Sequence, residues 1–246
     1  MKALILAAGY AVRLYPLTKE RAKSLLLVKG EPIINHIIAK LEGIDQIDEI
    51  IVITNSKFIS QFKKWKDAFV CKKNIRLVDD LTKNNKDRLG AIGDIRFAID
   101  KEKINDDLLV IGGDNLFNGD LKDFLAFSKA NINQPLIGVF DLKGKKQAKK
   151  YGVLKLNKNN IIADFKEKPK NPESSLVAMC LYFFPKDKLV LIREYLNGNK
   201  KNNDATGYYI DWLRKKEPVY GFVFSGSWYD IGNHSFYKEA KQKFSK

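Results

Sequence analysis

Two cysteines, two histidines and two methionines among 246 residues leave this chain little soft or redox-active chemistry. Cys71 and Cys180 cannot build a disulfide framework and form no CxxC metal pair. His36 and His234 have no ligand partner at metal-site spacing, which excludes a histidine-rich centre and leaves both as structural residues. Long apolar runs are missing too. None approaches the roughly 18 residues that a membrane span needs, so no membrane partner is expected. Met1-Lys2-Ala3-Leu4-Ile5-Leu6-Ala7-Ala8-Gly9 looks superficially like a signal peptide, but its apolar run is short and ends at a glycine turn. It reads as a buried strand of a cytoplasmic protein. Acid is scarce beside base: 29 Asp and Glu against 44 Lys and Arg give a net charge of +15. Such a charge attracts polyanions. Yet Lys63-Lys64, Lys72-Lys73, Lys145-Lys146, Lys149-Lys150, Lys200-Lys201 and Lys215-Lys216 are scattered and form no basic, aromatic stripe. Nucleic acid is therefore not expected as a partner, and steeply salt-dependent DNA or RNA binding would be needed to revive it. Hydrophobic residues, at 45 %, suffice for a core and exclude a disordered chain.

At roughly 100–200 residues per domain, this length gives one large domain or two small ones. Short β-branched runs alternate with helical periodicity through the first half. Strands are expected at 3–8, 49–54, 74–78, 108–111 and 136–140, and helices at 32–41, 56–69, 91–99 and 121–129. That alternation predicts an α/β fold with a mostly parallel sheet flanked by helices and ligands bound beyond the strand ends. After about residue 150 the pattern turns β-rich. Strands are expected at 151–156 and 161–165 around the Asn157-Lys158-Asn159-Asn160 turn, then at 176–184 and 219–224, with helices at 186–196, 206–215 and 234–244. No linker or repeat interrupts the chain.

Chemistry concentrates in a few segments. In Leu6-Ala7-Ala8-Gly9-Tyr10-Ala11-Val12-Arg13-Leu14-Tyr15-Pro16-Leu17-Thr18, a strand runs into a turn at Gly9, where a missing Cβ lets backbone approach a ligand. Backbone N–H groups in such a turn cradle phosphate oxygens, Arg13 offers a bidentate fork and Lys23 a point charge. The plainer reading is a strand and turn beside two solvated cations. Gly112-Gly113-Asp114-Asn115-Leu116-Phe117 puts a carboxylate just past a buried strand, where a turn aspartate is also common. Asp230, in Trp228-Tyr229-Asp230-Ile231-Gly232, follows a strand and precedes a helix, so a helix cap is its ordinary alternative. Tyr151-Gly152-Val153 and Phe165-Lys166-Glu167-Lys168-Pro169 can equally be an edge strand with alternating surface charge. Gly138 and Gly144-Lys145-Lys146 only approximate a phosphate-binding loop, because the glycine spacing is wrong and Lys146 replaces the metal-binding hydroxyl.

Together these segments resemble the sugar-1-phosphate nucleotidyltransferase family and its L-A-x-G-x-G-T-R-L-x-P-L-T-x(4)-P-K-x-L-L signature. The R-L-Y-P-L-T form is especially similar to glucose-1-phosphate thymidylyltransferases. The resemblance implies a Rossmann-like nucleotide-diphospho-sugar transferase fold in a single domain, 1–246. Within it, 1–140 would be the nucleotide-binding core and 141–246 a small β-rich sugar-binding lobe with a C-terminal helix. By the same resemblance Leu6, Ala8, Gly9, Arg13, Lys23, Asn85, Gly90 and Asp114 bind the nucleotide. Tyr151, Gly152, Glu167, Lys168 and Ala178 bind the sugar phosphate, and Asp114 and Asp230 hold Mg²⁺. Arg13, Lys23, Asp114, Lys168 and Asp230 form the catalytic set. The implied partners are a nucleoside triphosphate, with dTTP or UTP favoured, and a sugar 1-phosphate, with glucose 1-phosphate favoured. A homo-oligomer is compatible with the family.

The chain departs from the family at four places. Ala11 replaces the second loop glycine, which is tolerable where the local φ is negative. Val12 replaces a threonine and removes a hydroxyl, and Ala22 replaces the proline before Lys23. Met179-Cys180 stands where many relatives carry Thr-Gly beside the sugar. The chain is also shorter than the longer thymidylyltransferases, so a regulatory site built from their C-terminal helices is not expected. Two rival readings follow: a CTP-dependent cytidylyltransferase for another phosphorylated acceptor, and a non-catalytic nucleotide-binding paralogue.

Overall fold

The computed structural model describes residues 1–130, 133–198 and 205–245; Lys200-Lys201 lie outside them. The elements in chain order are β1 (Lys2–Leu6), β2 (Leu27–Val28), β3 (Glu31–Pro32), α1 (Ile33–Glu42), β4 (Glu49–Thr54), α2 (Ile59–Ala68) and β5 (Asn74–Asp79). They continue with α3 (Ala91–Lys101), β6 (Leu108–Gly112), β7 (Asn115–Phe117), α4 (Leu121–Ala130), β8 (Leu136–Asp141), β9 (Gly152–Leu156) and β10 (Ile162–Glu167). The last are β11 (Leu176–Phe184), α5 (Val190–Gly198), α6 (Thr206–Leu213), β12 (Tyr220–Phe224), β13 (Trp228–Asp230) and α7 (His234–Lys243).

Nine strands form one sheet in the order β10-β9-β11-β6-β1-β4-β5, with β8 on β11 and β12 on β8. β6, β1, β4 and β5 are parallel, and β11 runs antiparallel to β6 and closes the parallel part. The parallel strands are near-continuous apolar runs, Leu108-Leu109-Val110-Ile111 and Ile50-Ile51-Val52-Ile53, because helices cover both faces. Two core clusters result. One packs α1 and α4 against one face, and the other packs α3, α5 and α6 against the opposite face. The expected α/β class is what the chain adopts, and the β9–β10 hairpin, antiparallel as its turn predicts, joins the same sheet.

Several boundaries differ for visible reasons. The helix expected from 56 begins at Ile59, because the Asn55 side chain accepts the Phe58 N–H at 3.1 Å and holds a turn first. The 186–196 helix is a 3₁₀ turn at Lys186–Lys188 followed by α5. Gly138 lies inside β8, its open face filled by Leu181, and so belongs to no phosphate loop. His36 and His234 each bond a backbone carbonyl oxygen, of Val28 and Tyr15, at 2.9 Å.

Ala11 corrects the expectation of a negative φ. Its backbone is left-handed, φ 47° and ψ 42°, and its carbonyl accepts from Leu14 N at 2.9 Å and Thr18 Oγ1 at 2.8 Å. These bonds hold a conformation that costs an L-residue about 1–2 kcal/mol. Ala11→Gly is therefore expected to raise unfolding stability by roughly 0.5–1 kcal/mol after the extra unfolded-state entropy of glycine is counted. An unchanged or lower urea midpoint would refute this.

Candidate active site

The carboxyl ends of β1 and β6 open into the site. The loop after β1 is pinned from β4: Ala7 N donates to the Ile53 carbonyl at 2.8 Å, and Asn55 Nδ2 donates to the Ala8 carbonyl at 2.7 Å. Gly113 lets the next strand end come close, since a Cβ there would lie 2.7 Å from the Leu6 carbonyl oxygen. Gly9 differs, because a Cβ on it would meet nothing within 4 Å. The fold does not require that glycine; it leaves room beside the backbone. Gly9→Ala is therefore expected to preserve the unfolding midpoint, and a loss of ligand affinity of about tenfold in that variant, roughly one close polar contact, would report ligand approach and not folding.

Asp114 and Asp230 meet through a small sheet that the sequence pattern missed. β13 pairs antiparallel with β7, placing Asp230 opposite Asn115, and Ile231 N donates to the Asp114 carbonyl at 3.1 Å. Trp228 Nε1 donates to Asn115 Oδ1 at 2.6 Å and fixes the same junction. The two carboxyl groups lie close enough to interact electrostatically, and Lys23 Nζ forms an ion pair with Asp114. Burial, then the negative charge of Asp114, pushes Asp230 up to about 7, although Lys23 and Arg13 pull it down. Burial works against the Lys23 ammonium, but Asp114 and Asp230 outweigh it and raise its pKa above the ordinary lysine value. The pocket thus holds two neighbouring carboxyl groups, of which Asp114 has a direct ion pair and Asp230 feels Lys23 and Arg13 from further away.

Two cavities flank the carboxylates. The smaller, about 200 Å³, is lined by Leu6, Ala8, Gly9, Lys23, Gly90 and Asp114, six of the eight residues expected at the nucleotide. Arg13 instead lines the larger cavity of about 550 Å³, together with Tyr151, Gly152, Glu167, Lys168, Ala178, Asp114 and Asp230. Asn85 lines neither cavity: its carbonyl accepts from Arg88 NH1 at 2.6 Å, and Arg88, with Gly90, lines the smaller cavity. Asp114, Ala91 and Cys180 border both cavities. Lys168 adopts a left-handed backbone at φ 45°, with its N–H on the Tyr151 carbonyl at 3.0 Å and its Nζ 3.3 Å from Glu167. Tyr151 packs on Trp228 with ring centroids 5.1 Å apart, and burial, reinforced by the nearby carboxylates, raises its phenol pKa.

Sequence reasoning missed Arg88 and Asp94 at the smaller cavity and Tyr182, Thr206 and Gly207 at the larger one. Tyr182 Oη and Thr206 Oγ1 share a 2.5 Å hydrogen bond across that wall. Cys180 sits where β11 loses register against β8, at φ 54°, and burial pushes its thiol up to about 12. The departure at Met179-Cys180 thus places a side chain in a left-handed backbone position that favours glycine.

Among the described residues no group of three or more His, Cys, Asp or Glu is arranged to hold a metal ion, and no helix is long and apolar enough to cross a membrane. The nucleotidyl transferase family profile matches residues 2–246. The bifunctional protein GlmU of Methanocaldococcus jannaschii is 33 % identical over 234 residues, covering 94 % of this chain and 51 % of that protein. Its namesake in Methanococcus aeolicus is 29 % identical over 233 residues, with the same two shares. The chain spans about half the length of these curated relatives. A candidate glucose-1-phosphate thymidylyltransferase of Bacillus anthracis, solved with sucrose, superposes with a TM-score of 0.78 at 25 % identity, covering 100 % of this chain and 98 % of that one. A UDP-glucose pyrophosphorylase solved with UDP-glucose gives a TM-score of 0.80 at 20 % identity over 98 % and 97 % of the two chains, a likeness of fold. The fold is that of the nucleotide-diphospho-sugar transferases, and the chain belongs to the nucleotidyl transferase family.

Proposed function

We propose that this chain joins a nucleoside triphosphate to a sugar 1-phosphate, forming a nucleotide sugar and releasing pyrophosphate. The observation that carries this reading is the position of Asp114, paired with Lys23, where a smaller and a larger cavity meet, with Asp230 beside it on the larger one. We assign the nucleotide to the smaller cavity and the acceptor to the larger one. A phosphate oxygen of the acceptor attacks the α-phosphorus, and the bond from that phosphorus to the pyrophosphate oxygen breaks. The attacking oxygen is already ionised at neutral pH, so no covalent enzyme nucleophile is needed. Catalysis then rests on positioning and charge neutralisation.

Asp114 and Asp230 offer only hard oxygen donors, which suits Mg²⁺ held by two carboxylates, substrate phosphates and water. When bound, Mg²⁺ would neutralise charge on the reacting phosphates. Lys23 exchanges its Asp114 contact for triphosphate oxygens, and Arg13 meets the phosphates from the acceptor side. Lys168 orients the attacking phosphate, and Glu167 accepts acceptor hydroxyls. The Bacillus anthracis relative is named for thymidylyl transfer to glucose 1-phosphate, and together with the R-L-Y-P-L-T segment this favours dTTP or UTP and glucose 1-phosphate. The Cys180 side chain between the cavities favours a second reading in which the acceptor differs, and Asn85 lying outside both cavities leaves CTP as its donor.

Pyrophosphate release across four or five nucleoside triphosphates and a panel of sugar 1-phosphates, with and without Mg²⁺, tests the proposal. Release is expected with UTP or dTTP and a hexose 1-phosphate. Nucleotide binding with no release from any pair would select the non-catalytic reading.

A further inference from the structure

The Glu167 side chain is only 9 % exposed, yet its carboxylate borders the larger cavity at the last residue of β10. Two glycines make room for it. Gly152 is its cross-strand partner on β9, and a Cβ there would lie 3.1 Å from Glu167 Oε2. Gly207, in the first turn of α6, faces it from the other side. A Cβ on Gly207 would overlap Glu167 Oε2 and lie 2.9 Å from both Glu167 Cδ and Phe165 Cε1. Its φ is not in the left-handed region, so backbone freedom does not explain this glycine. The vacant volume is occupied by the carboxylate itself.

We propose that Gly207 is a positioning residue: the notch left by its missing side chain holds the Glu167 carboxylate against the acceptor cavity, and thereby selects an acceptor rich in hydroxyl donors. A carboxylate accepts hydrogen bonds and donates none. Held in place, it rewards a polyhydroxylated acceptor and gives nothing to one whose end lacks O–H and N–H groups. This rests on the proposed reaction and adds the residue that sets the carboxylate's place. Gly207→Ala leaves the flexible Glu167 end free to swing away, so the fold survives at the cost of a local shift against Phe165. Gly152→Ala is a poorer probe, because its Cβ would overlap the buried Phe165 ring.

The test is a double-mutant cycle on the full chain, Gly207→Ala, Glu167→Ala and both together. It is read as Km and kcat for glucose 1-phosphate, Km for the nucleotide, and calorimetric binding of glucose 1-phosphate. Gly207→Ala is expected to weaken acceptor Km and binding about 10- to 100-fold, the span of a lost hydrogen bond to a charged group. The nucleotide Km should stay unchanged, and in the Glu167→Ala background the same substitution should be silent. Additive acceptor effects, or an equal rise in both Km values, would overturn the positioning role while leaving the reaction intact. A wild-type chain that neither binds nor turns over any sugar 1-phosphate would overturn the reaction and this assignment together.

Discussion

Asp230→Asn is expected to cut turnover by about 10²–10³-fold, the range for one electrostatic stabiliser, while making the ligand-free protein more stable at pH 8. The two effects have one origin. Asp230 is buried beside Asp114, and its pKa is pushed up to about 7. A carboxyl group whose folded pKa exceeds its unfolded value of about 3.9 favours the folded state fully below that lower value and loses the contribution as pH rises through the higher one. Wild-type stability should therefore fall between about pH 4 and pH 8 on account of this group. The neutral asparagine removes that slope, so the gap between variant and wild type should close below pH 5. Thermal unfolding at pH 5 and pH 8, paired with pyrophosphate release, checks both halves. A variant less stable than wild type at pH 8 would mean that neither burial nor the neighbouring Asp114 disfavours the ionised Asp230.

Lys23→Met should also cut turnover by about 10²–10³-fold but shift stability in the opposite direction. Lys23 forms the ion pair with Asp114, and both side chains are largely buried, about 20 % and 21 % exposed. Removing the ammonium leaves Asp114 without its ion-pair partner beside a second carboxylate. Breaking a fully buried pair costs about 3–5 kcal/mol; here solvent access reduces the expected loss to roughly 1–3 kcal/mol at pH 8. Added divalent cation should restore more stability to Lys23→Met than to wild type, because it would take over the neutralisation. Equal cation-induced shifts in unfolding temperature would refute that exchange.

Pattern alone revealed the parallel half of the fold because buried strands such as Glu49–Thr54 and Leu108–Gly112 are unbroken apolar runs between helical periodicities. It could not reveal β7 and β13, three residues each, which are too short to show an alternation. Yet their pairing is what brings Asp230 to Asp114. The signature segment pointed to Gly9 and Lys23 through residue type and spacing, and both line the smaller cavity, whereas Arg13 lines the larger one and Asn85, in a loop without periodicity, lines neither. Arg88, three residues on, reaches the smaller cavity instead. Ala11 and Cys180 were visible as substitutions, but their positive φ values depend on hydrogen bonds and register shifts that no local pattern encodes. Gly207 gave no signal, since its meaning is the nearness of Glu167, forty positions earlier in the chain.

Manganese binding, followed by electron paramagnetic resonance in the presence of a non-hydrolysable nucleoside triphosphate, tests most directly whether Asp114 and Asp230 share one divalent cation. Wild type should bind one ion per chain at the tight site, and Asp114→Asn and Asp230→Asn should each lose it while still folding. Undiminished tight binding in either variant would contradict the account.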